Sequence, residues 1–153
     1  MKYHANPLTL SKVMETAITV DAPKPIEELL ARYSFVSDVF REEHKHEHPM
    51  PYTAHYSVWA LSRSATPEEI VKALSSLGER PANGQDLLCF ADVHPEACDP
   101  ALIATGSGEH IGGHTGVPVV AIPSKGGSRA GEMFVERLSA GAHILSITPK
   151  ENR

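Results

Sequence analysis

The segment TPEEIVKALSSLG, residues 66–78, decides the fold that the sequence predicts. Thr66 is a helix-capping residue, Pro67 suits the first helical position, and Glu69 completes a Thr-x-x-Glu capping box. The apolar residues recur at helical spacing and form one buried face: Ile70, Ala73, Leu74 and Leu77. Gly78 then ends the helix. The segment therefore predicts an amphipathic helix.

Two segments with strand character flank this helix. Residues Tyr52–Arg63 include the bulky strand formers Tyr56, Val58 and Trp59. Residues Asp86–Val93, DLLCFADV, form a nearly continuous apolar run that is typical of a buried strand. Together they predict a strand–helix–strand unit over residues 52–93, with a right-handed crossover.

The remaining chain continues this alternation. Further strands are expected at Thr16–Val20, Ala101–Thr105, Val117–Ile122 and His143–Thr148, and further helices at Ile26–Phe40 and Gly131–Ala140. The order β-α-β-α-β-β-β-α-β predicts the α/β class, with α+β as the alternative. We expect a mixed sheet of five to six strands with two or three helices packed on it. A single α/β domain over residues 16–153 would follow an N-terminal arm, residues 1–15.

Composition excludes several classes of protein. The 153 residues are 41% hydrophobic and 22% charged, which is typical of a globular chain. The formal net charge of −5, without any cluster of Lys or Arg, argues against a nucleic-acid or membrane-surface partner. No apolar run is long enough to span a membrane, and Met1–Leu10 lacks the apolar core of a signal peptide. Two cysteines fit the cytoplasm better than a disulfide scaffold.

The run VPVVAIPSKGGSRAGEM, residues 117–133, leads from a buried strand into a predicted helix. Gly126 and Gly127 allow positive φ, and Ser128 would cap the helix. Free amides at a helix start, flanked by cations, predict a phosphate or carboxylate site. Its residues would be Ser124, Lys125, Gly126, Gly127, Ser128 and Arg129. The alternative is a strand–helix connection with solvated basic residues, and neither a Walker A loop nor Gly-x-Gly-x-x-Gly is present.

The same run carries a resemblance. Its residues Pro123, Gly127, Ser128 and Gly131 are similar to the Pro-x-x-x-Gly-Ser-x-x-Gly turn in the small swivelling domain of aconitase-like hydro-lyases. The matching stretch, residues 119–138, is about a seventh of the chain. No residue role is carried over from it.

The segment between Arg80 and Lys125 contains no Lys or Arg, but five acidic residues, three histidines and both cysteines. Two donor pairs within it share one spacing: His94-x-x-x-Cys98 and His110-x-x-x-His114. Such a set is typical of a divalent metal such as zinc. The alternative is that these histidines are surface or capping groups and that Cys89 is a small core residue.

Residues 106–116 form a second glycine-rich segment, with five glycines. It carries Glu109, His110, His114 and Thr115, and Glu and His are suitable acid–base groups near neutral pH. The alternative is a hairpin connection that needs glycine for its turns. Outside this segment, His55 is expected to point from a strand into a pocket, and the run EEHKHEH, residues 42–48, is a solvated helix end or a surface metal site.

These features leave open whether the protein is an enzyme. One hypothesis is a small cytosolic lyase, isomerase or hydrolase that holds an anionic metabolite at Ser124–Arg129, with Thr115 as a further contact. In it, His110 or His114, together with Glu109, moves a proton, and the site lies at a subunit interface of a homo-oligomer. The other is a non-catalytic oligomeric module that binds a ligand or metal through residues 92–114. The sequence names no cofactor outright, and a divalent metal such as zinc is the option that these residues offer.

Overall fold

The computed structural model describes residues 7–38, 40, 50–106, 110–111, 114–124 and 126–149. Its strands are β1 (Leu10–Val20), β2 (Phe35–Val36), β3 (Tyr52–Leu61), β4 (Arg80–Pro81), β5 (Leu102–Ile103), β6 (His110–Ile111), β7 (His114–Ala121), β8 (Arg129–Val135) and β9 (His143–Thr148). The helices that it describes in full are α1 (Ile26–Leu30), α2 (Pro67–Ser76) and α3 (Gly84–Val93), with a 3₁₀ helix at Pro95–Cys98. Among the described residues, no helix has the length and apolar character needed to cross a membrane.

The strands form one mixed sheet in the order β1-β3-β9-β5-β7-β8-β2, with β4 pairing to β9 and β6 to β7. Most neighbouring strands are antiparallel, and the pairs β5–β9 and β2–β8 are parallel. The predicted sheet of five to six strands is therefore wrong, because the described residues contribute nine strands. The mixed sheet and the α/β class are retained. The division into an N-terminal arm and a single domain stays a prediction.

Helix α2 confirms the helix predicted from residues 66–78, together with its cap and its buried Ile70 and Leu74. The predicted buried face is wrong at Leu77, which is 52% exposed because it follows the last helical residue, and Ala73 is only partly buried. The Thr66 hydroxyl accepts a hydrogen bond from Glu69 N at 3.1 Å, and Thr66 N donates to Glu69 Oε1 at 3.0 Å. These reciprocal bonds satisfy two amides that a helix start otherwise leaves without partners. Gly78 follows with a φ of 75°, a conformation that glycine adopts without a steric penalty.

The predicted strand Asp86–Val93 is wrong, because these residues form most of helix α3. Asn83 and Asp86 make a second capping box, in which Asn83 Oδ1 accepts from Asp86 N and Asp86 Oδ2 accepts from Asn83 N, each at 2.9 Å. Buried helices and buried strands both produce continuous apolar runs, so the apolar pattern alone did not separate them. Since α3 replaces the second strand, the expected strand–helix–strand unit over residues 52–93 does not form.

The predicted helix Gly131–Ala140 is also wrong. Residues Arg129–Val135 instead form β8, which pairs antiparallel with β7. Gly126 and Gly127, with φ of 92° and 77°, make the turn that lets the chain reverse direction between these strands. Pairing with β7 outweighs local helix propensity here.

Three further boundaries differ from the sequence prediction. Strand β1 begins at Leu10 rather than Thr16, so residues 10–15 of the predicted arm lie in the sheet. The helix predicted from Ile26 to Phe40 ends at Leu30 as α1, and Phe35–Val36 pair with β8. Strand β5 is limited to two residues.

Helices cover both faces of the sheet. Side chains alternate between the faces along each strand. Trp59 and its neighbour Ile144 on β9 therefore share one face, where they belong to the same core cluster as Ile70 and Leu74 of α2. Val58 belongs to the opposite face, in the core cluster that contains the buried residues of α1 and α3. A cavity lies between α3 and the sheet, near the ends of β1 and β9.

Candidate functional site

A cavity lies beside α3, where β1 and β9 end and β3 begins. Its volume is about 720 Å³, and we call it the first cavity. Its apolar lining consists of Val20, Ala22, Pro23, Leu29, Met50, Ala54, Val93, Ile147 and Pro149. Its polar lining consists of Lys24, Tyr52, Thr53, Tyr56, Arg80, Gln85, Asp86, Cys89, Asp92 and Thr148. A volume of this size is typical of pockets for small organic ligands.

Helix α3 forms one wall of the first cavity, because residues at helical spacing lie on the same face of the helix. Five of its residues line the first cavity: Gln85, Asp86, Cys89, Asp92 and Val93. At 3.6 residues per turn they fall within an arc of about 120°, so one face of the helix borders the cavity. Asp86 and Asp92 lie about 9 Å apart along the helix axis, with Cys89 midway between them.

Two ion pairs border the first cavity. Lys24 Nζ lies 3.2 Å from Asp92 Oδ2, and Arg80 Nη1 lies 3.4 Å from Asp86 Oδ2. The cationic side chains are about half exposed, at 47% and 49%, whereas those of Asp92 and Asp86 are 29% and 20% exposed. Two cations and two anions balance, so these four groups bring no net charge to the cavity. The cations are the outer members, which a ligand arriving from solvent meets first.

A tyrosine and a cysteine lie between the two ion pairs. Burial raises the pKa of the Tyr52 hydroxyl above its usual range, and its hydrogen bond with the Cys89 side chain adds to this effect. Burial likewise raises the pKa of Tyr56, whose ring centroid is 5.3 Å from that of Phe90. Both phenols therefore keep their protons at neutral pH.

A second cavity, of about 460 Å³, lies against β1 and β3 and is lined by Glu15, His55, Ser57 and Thr148 among others. In the pairing of β3 with β1, His55 lies opposite Ala17 and Ser57 lies opposite Glu15, whereas Tyr56 between them lies opposite Thr16 and points to the other face of the sheet. The side chains of His55 and Ser57 therefore face away from α3. As the sequence predicts, His55 borders a pocket.

A hydrogen-bond network adjoins the second cavity through Thr148. The Glu79 carboxylate accepts from the Ser146 hydroxyl at 2.7 Å and from the Thr148 hydroxyl at 2.8 Å. Ser146 Oγ in turn accepts from Trp59 Nε1 at 2.8 Å. These bonds connect the end of α2 to β9 and occupy the buried polar groups of Trp59 and Ser146, which is a structural role.

The predicted anion loop has a different local structure from the one expected. Ser128 does not cap a helix: its hydroxyl donates to the Arg32 carbonyl at 3.1 Å. The Arg129 guanidinium lies 5.2 Å from the centroid of the Phe35 ring. Lys125 lies outside the described residues, and Ser124 belongs to the turn between β7 and β8. Because no helix follows, the helix amides that would have held an anion are not available here.

The predicted anion loop and the first cavity lie at different ends of the strands. Strand β5 is parallel to β9 and antiparallel to β7. Strand β7 therefore ends where β9 begins, and the turn 122–128 follows β7 directly. The first cavity lies where β9 ends. The structure thus does not bring Ser124, Gly126, Gly127, Ser128 or Arg129 to this cavity.

Of the four predicted metal ligands, the structure describes the side chains of His94 and Cys98. His94 Nδ1 lies 3.0 Å from Glu96 Oε1, and Cys98 is fully buried, which raises the pKa of its thiol to about 12. A neutral buried thiol is a poor metal ligand. The side chains of Glu109, His110 and His114 lie outside the described part of the chain, as do residues 41–49. In the part that is described, no group of three or more His, Cys, Asp or Glu residues has a metal-binding arrangement.

Thr115 belongs to the second glycine-rich segment, and its side chain is described. Its hydroxyl donates to Glu68 Oε1 in the first turn of α2, at 3.3 Å. Thr115 is therefore placed near α2, and it does not line the first cavity. The acid–base role of the segment stays a prediction.

Comparisons with protein-family models, curated proteins and solved structures found no match to this chain. The candidate site therefore rests on its geometry alone. Sequence reasoning missed this site because it placed Asp86, Cys89 and Asp92 on a buried strand. The spacing Asn83-x-x-Asp86 was the available signal, since it is a capping box that marks the start of a helix.

Proposed function

We propose that this protein binds a small organic molecule in the first cavity. The single observation that carries the proposal is the combination of a volume of about 720 Å³ with an apolar lining and two bordering ion pairs. Ligand pockets characteristically combine apolar walls with a few polar groups that orient the ligand. The second cavity is smaller, and the Glu79 network beside it serves the fold.

Exposed apolar side chains at the first cavity support this proposal. Met50 and Val93 both line it, and 70% and 46% of their surfaces are exposed. When a ligand covers exposed apolar side chains such as these, the removal of their surface from water favours binding. Lys24 and Arg80 are the half-exposed members of the two ion pairs, and we propose them as the groups that contact an anionic part of the ligand.

We propose separately that the protein is an enzyme and that its site lies at a subunit interface of a homo-oligomer. Glu109, His110 and His114 are the residues that we propose for proton transfer if the protein is an enzyme. We propose the cytoplasm as the location, supported by Cys89 and Cys98, neither of which forms a disulfide.

The two cysteines provide the test of ligand binding. Cys89 lines the first cavity, whereas Cys98 is fully buried. In the folded protein we expect N-ethylmaleimide to alkylate Cys89 and to spare Cys98, as measured by peptide mass spectrometry. We then expect compounds from a panel of phenylalkanoic acids, their primary amides and phenylalkyl phosphates to slow alkylation of Cys89. If no member of the panel changes that rate, the proposal is wrong.

A matched pair of substitutions shows whether protection occurs through the cavity. Ala54 and Ala60 are both half-buried on β3, but only Ala54 lines the first cavity. Ala54→Leu places extra volume in the cavity, and we expect it to abolish the thermal stabilisation given by a protecting compound. Ala60→Leu is the control and should retain it. Equal stabilisation of both variants would place the ligand elsewhere.

A further inference from the structure

Arg80 is the cation of the first cavity whose hydrogen-bonding capacity is least used. Its Nη1 atom makes contacts at 3.4 Å with Asp86 Oδ2 and at 3.5 Å with the Pro81 carbonyl, both at the long end of the hydrogen-bond range. Within the described residues, its Nε and Nη2 groups have no hydrogen-bond acceptor. A guanidinium has five N–H donors in a planar fork, so most of this fork is available to a ligand.

Asp86 does not depend on Arg80 for its own position. Its Oδ2 atom also accepts a hydrogen bond from Asn83 N at 2.9 Å, within the capping box of α3. The long contact with Arg80 is half exposed, and ion pairs of this kind contribute little to stability. Arg80 can therefore turn from Asp86 to a ligand, because the Asp86 carboxylate keeps its hydrogen bond from Asn83 N.

The surroundings of Arg80 favour an apolar body for this ligand. Arg80 is paired directly with Ile147 of β9, which lines the cavity together with Val20 and Ala54. Further along the cavity, Met50 and Val93 present exposed apolar surface. A ligand anchored at Arg80 thus extends over apolar side chains.

The carboxylates of the cavity favour a single negative charge on the ligand. Asp86 and Asp92 both line the cavity, and each faces one of the two cations. A monoanion completes the hydrogen bonding of Arg80, whereas a dianionic phosphate also meets the repulsion of the two aspartates. A carboxylate matches the guanidinium fork with two parallel hydrogen bonds.

Building on the proposed function, we infer that the ligand is an amphipathic monocarboxylic acid whose carboxylate is bound by Arg80 and whose apolar body lies over Ile147 toward Met50 and Val93. The inference names the anchoring residue and the chemical class of the ligand. It also separates this site from the predicted anion loop, whose cation Arg129 lies over Phe35.

Isothermal titration calorimetry with the phenylalkanoic acids, their amides and the phosphates tests the inference. We expect the acids to bind about tenfold more tightly than the matched amides, because a hydrogen bond to a charged group is stronger than a neutral one. Arg80→Gln should weaken binding of the acids by about tenfold and leave the amides unchanged, and Arg80→Lys should give a smaller loss because it keeps the charge without the fork. Arg129→Gln is the matched control and should have no effect.

Four outcomes would overturn the inference. Amides that bind as tightly as acids would show that the cavity does not select a carboxylate, while the proposed small-molecule function would still stand. Loss of acid binding in Arg129→Gln, with Arg80→Gln unaffected, would place the anion site at the turn between β7 and β8. Tighter binding of phosphates than of carboxylates would assign a different ligand class. Binding of none of the compounds would contradict both the inference and the proposed function.

Discussion

Two regions of the molecule hold arginine–carboxylate pairs in contrasting ways. In the capping corner, formed by Arg63, Thr66, Glu69 and Arg137, Arg63 Nη2 lies 2.9 Å from Glu69 Oε2 and the same carboxylate also caps α2. At the first cavity, Arg80 Nη1 lies 3.4 Å from Asp86 Oδ2. The short contact of Arg63 and the cap serve the fold, and Arg137 adds a longer contact of 3.5 Å with the same carboxylate. At the cavity, by contrast, Arg80 has no short contact with a carboxylate, and its remaining donors are the ones that we propose bind a ligand.

The largest effect should come from the core beneath the capping corner. Leu74 of α2 is fully buried, and Leu74→Ala should lower the free energy of unfolding by about 3 kcal/mol through lost apolar burial and a residual cavity. Leu77 on the same helical turn is 52% exposed, so Leu77→Ala should cost less than about 1 kcal/mol. Urea unfolding of the two variants measures the difference. Equal losses would mean that α2 does not pack as described.

The next effect concerns the network beside the second cavity. Ser146→Ala removes the acceptor of the buried Trp59 Nε1 and one donor to Glu79. A buried donor left without a partner should lower the free energy of unfolding by about 2 kcal/mol. Thr19→Val is the control, because the Thr19 hydroxyl contacts Thr53 on the exposed surface of the sheet. A Ser146→Ala variant as stable as the control would show that the network contributes nothing.

Smaller changes in the free energy of unfolding are expected when the capping corner and the first cavity are compared directly. Thr66→Ala removes the cap of α2 and should lower the free energy of unfolding by about 1 kcal/mol. Lys24→Gln and Arg80→Gln each break a half-exposed pair at the first cavity, and each should change stability by less than about 0.5 kcal/mol. Denaturant midpoints of the three variants provide the comparison. A larger loss in either cavity variant would mean that its pair serves the fold, as the capping corner does.

The last effect is the contribution of the capping corner to the pH dependence of stability. The hydrogen bond from Thr66 N, followed by that from Arg63, lowers the pKa of Glu69 from 4.5 to about 2. A carboxyl with a lower pKa in the folded state stabilises it above pH 4.5, and this contribution is lost as the pH falls toward 2. The melting temperature of Glu69→Gln should therefore decrease less than that of the wild type between these values. Parallel decreases in both proteins would exclude this role for Glu69.

The elements that the sequence predicts correctly carry strong local signals. The Thr66–Glu69 capping box, the helical spacing after it and Gly78 locate α2. Strand β9 occupies the predicted range His143–Thr148. The errors lie where local signals conflict with tertiary structure. In Asp86–Val93 a continuous apolar run obscured the second capping box, and in Arg129–Val135 pairing with β7 determines the strand.

The first cavity lacked a local signal of its own. Lys24 and Asp92 are 68 residues apart in sequence, and they meet only because α3 packs on the sheet near the end of β1. Arg80 reaches the same cavity through its pairing with Ile147. The site predicted from the sequence instead relied on the glycine-rich and histidine-rich segments, because their composition is unusual. Long-range pairing brings together the groups that we propose bind the ligand, and the periodicity of the sequence contains no signal of such pairing.

The most direct test of the central claim is a comparison of amide chemical shifts with and without phenylbutyrate in solution. If an amphipathic acid binds in the first cavity, the amide signals of Cys89, Tyr52 and Arg80 should change, and those of Gly126 and Gly127 should not. Saturation of these changes with increasing acid would establish a defined site. Changes confined to Gly126, Gly127 and Arg129 would contradict the account and place the anion site at the turn between β7 and β8.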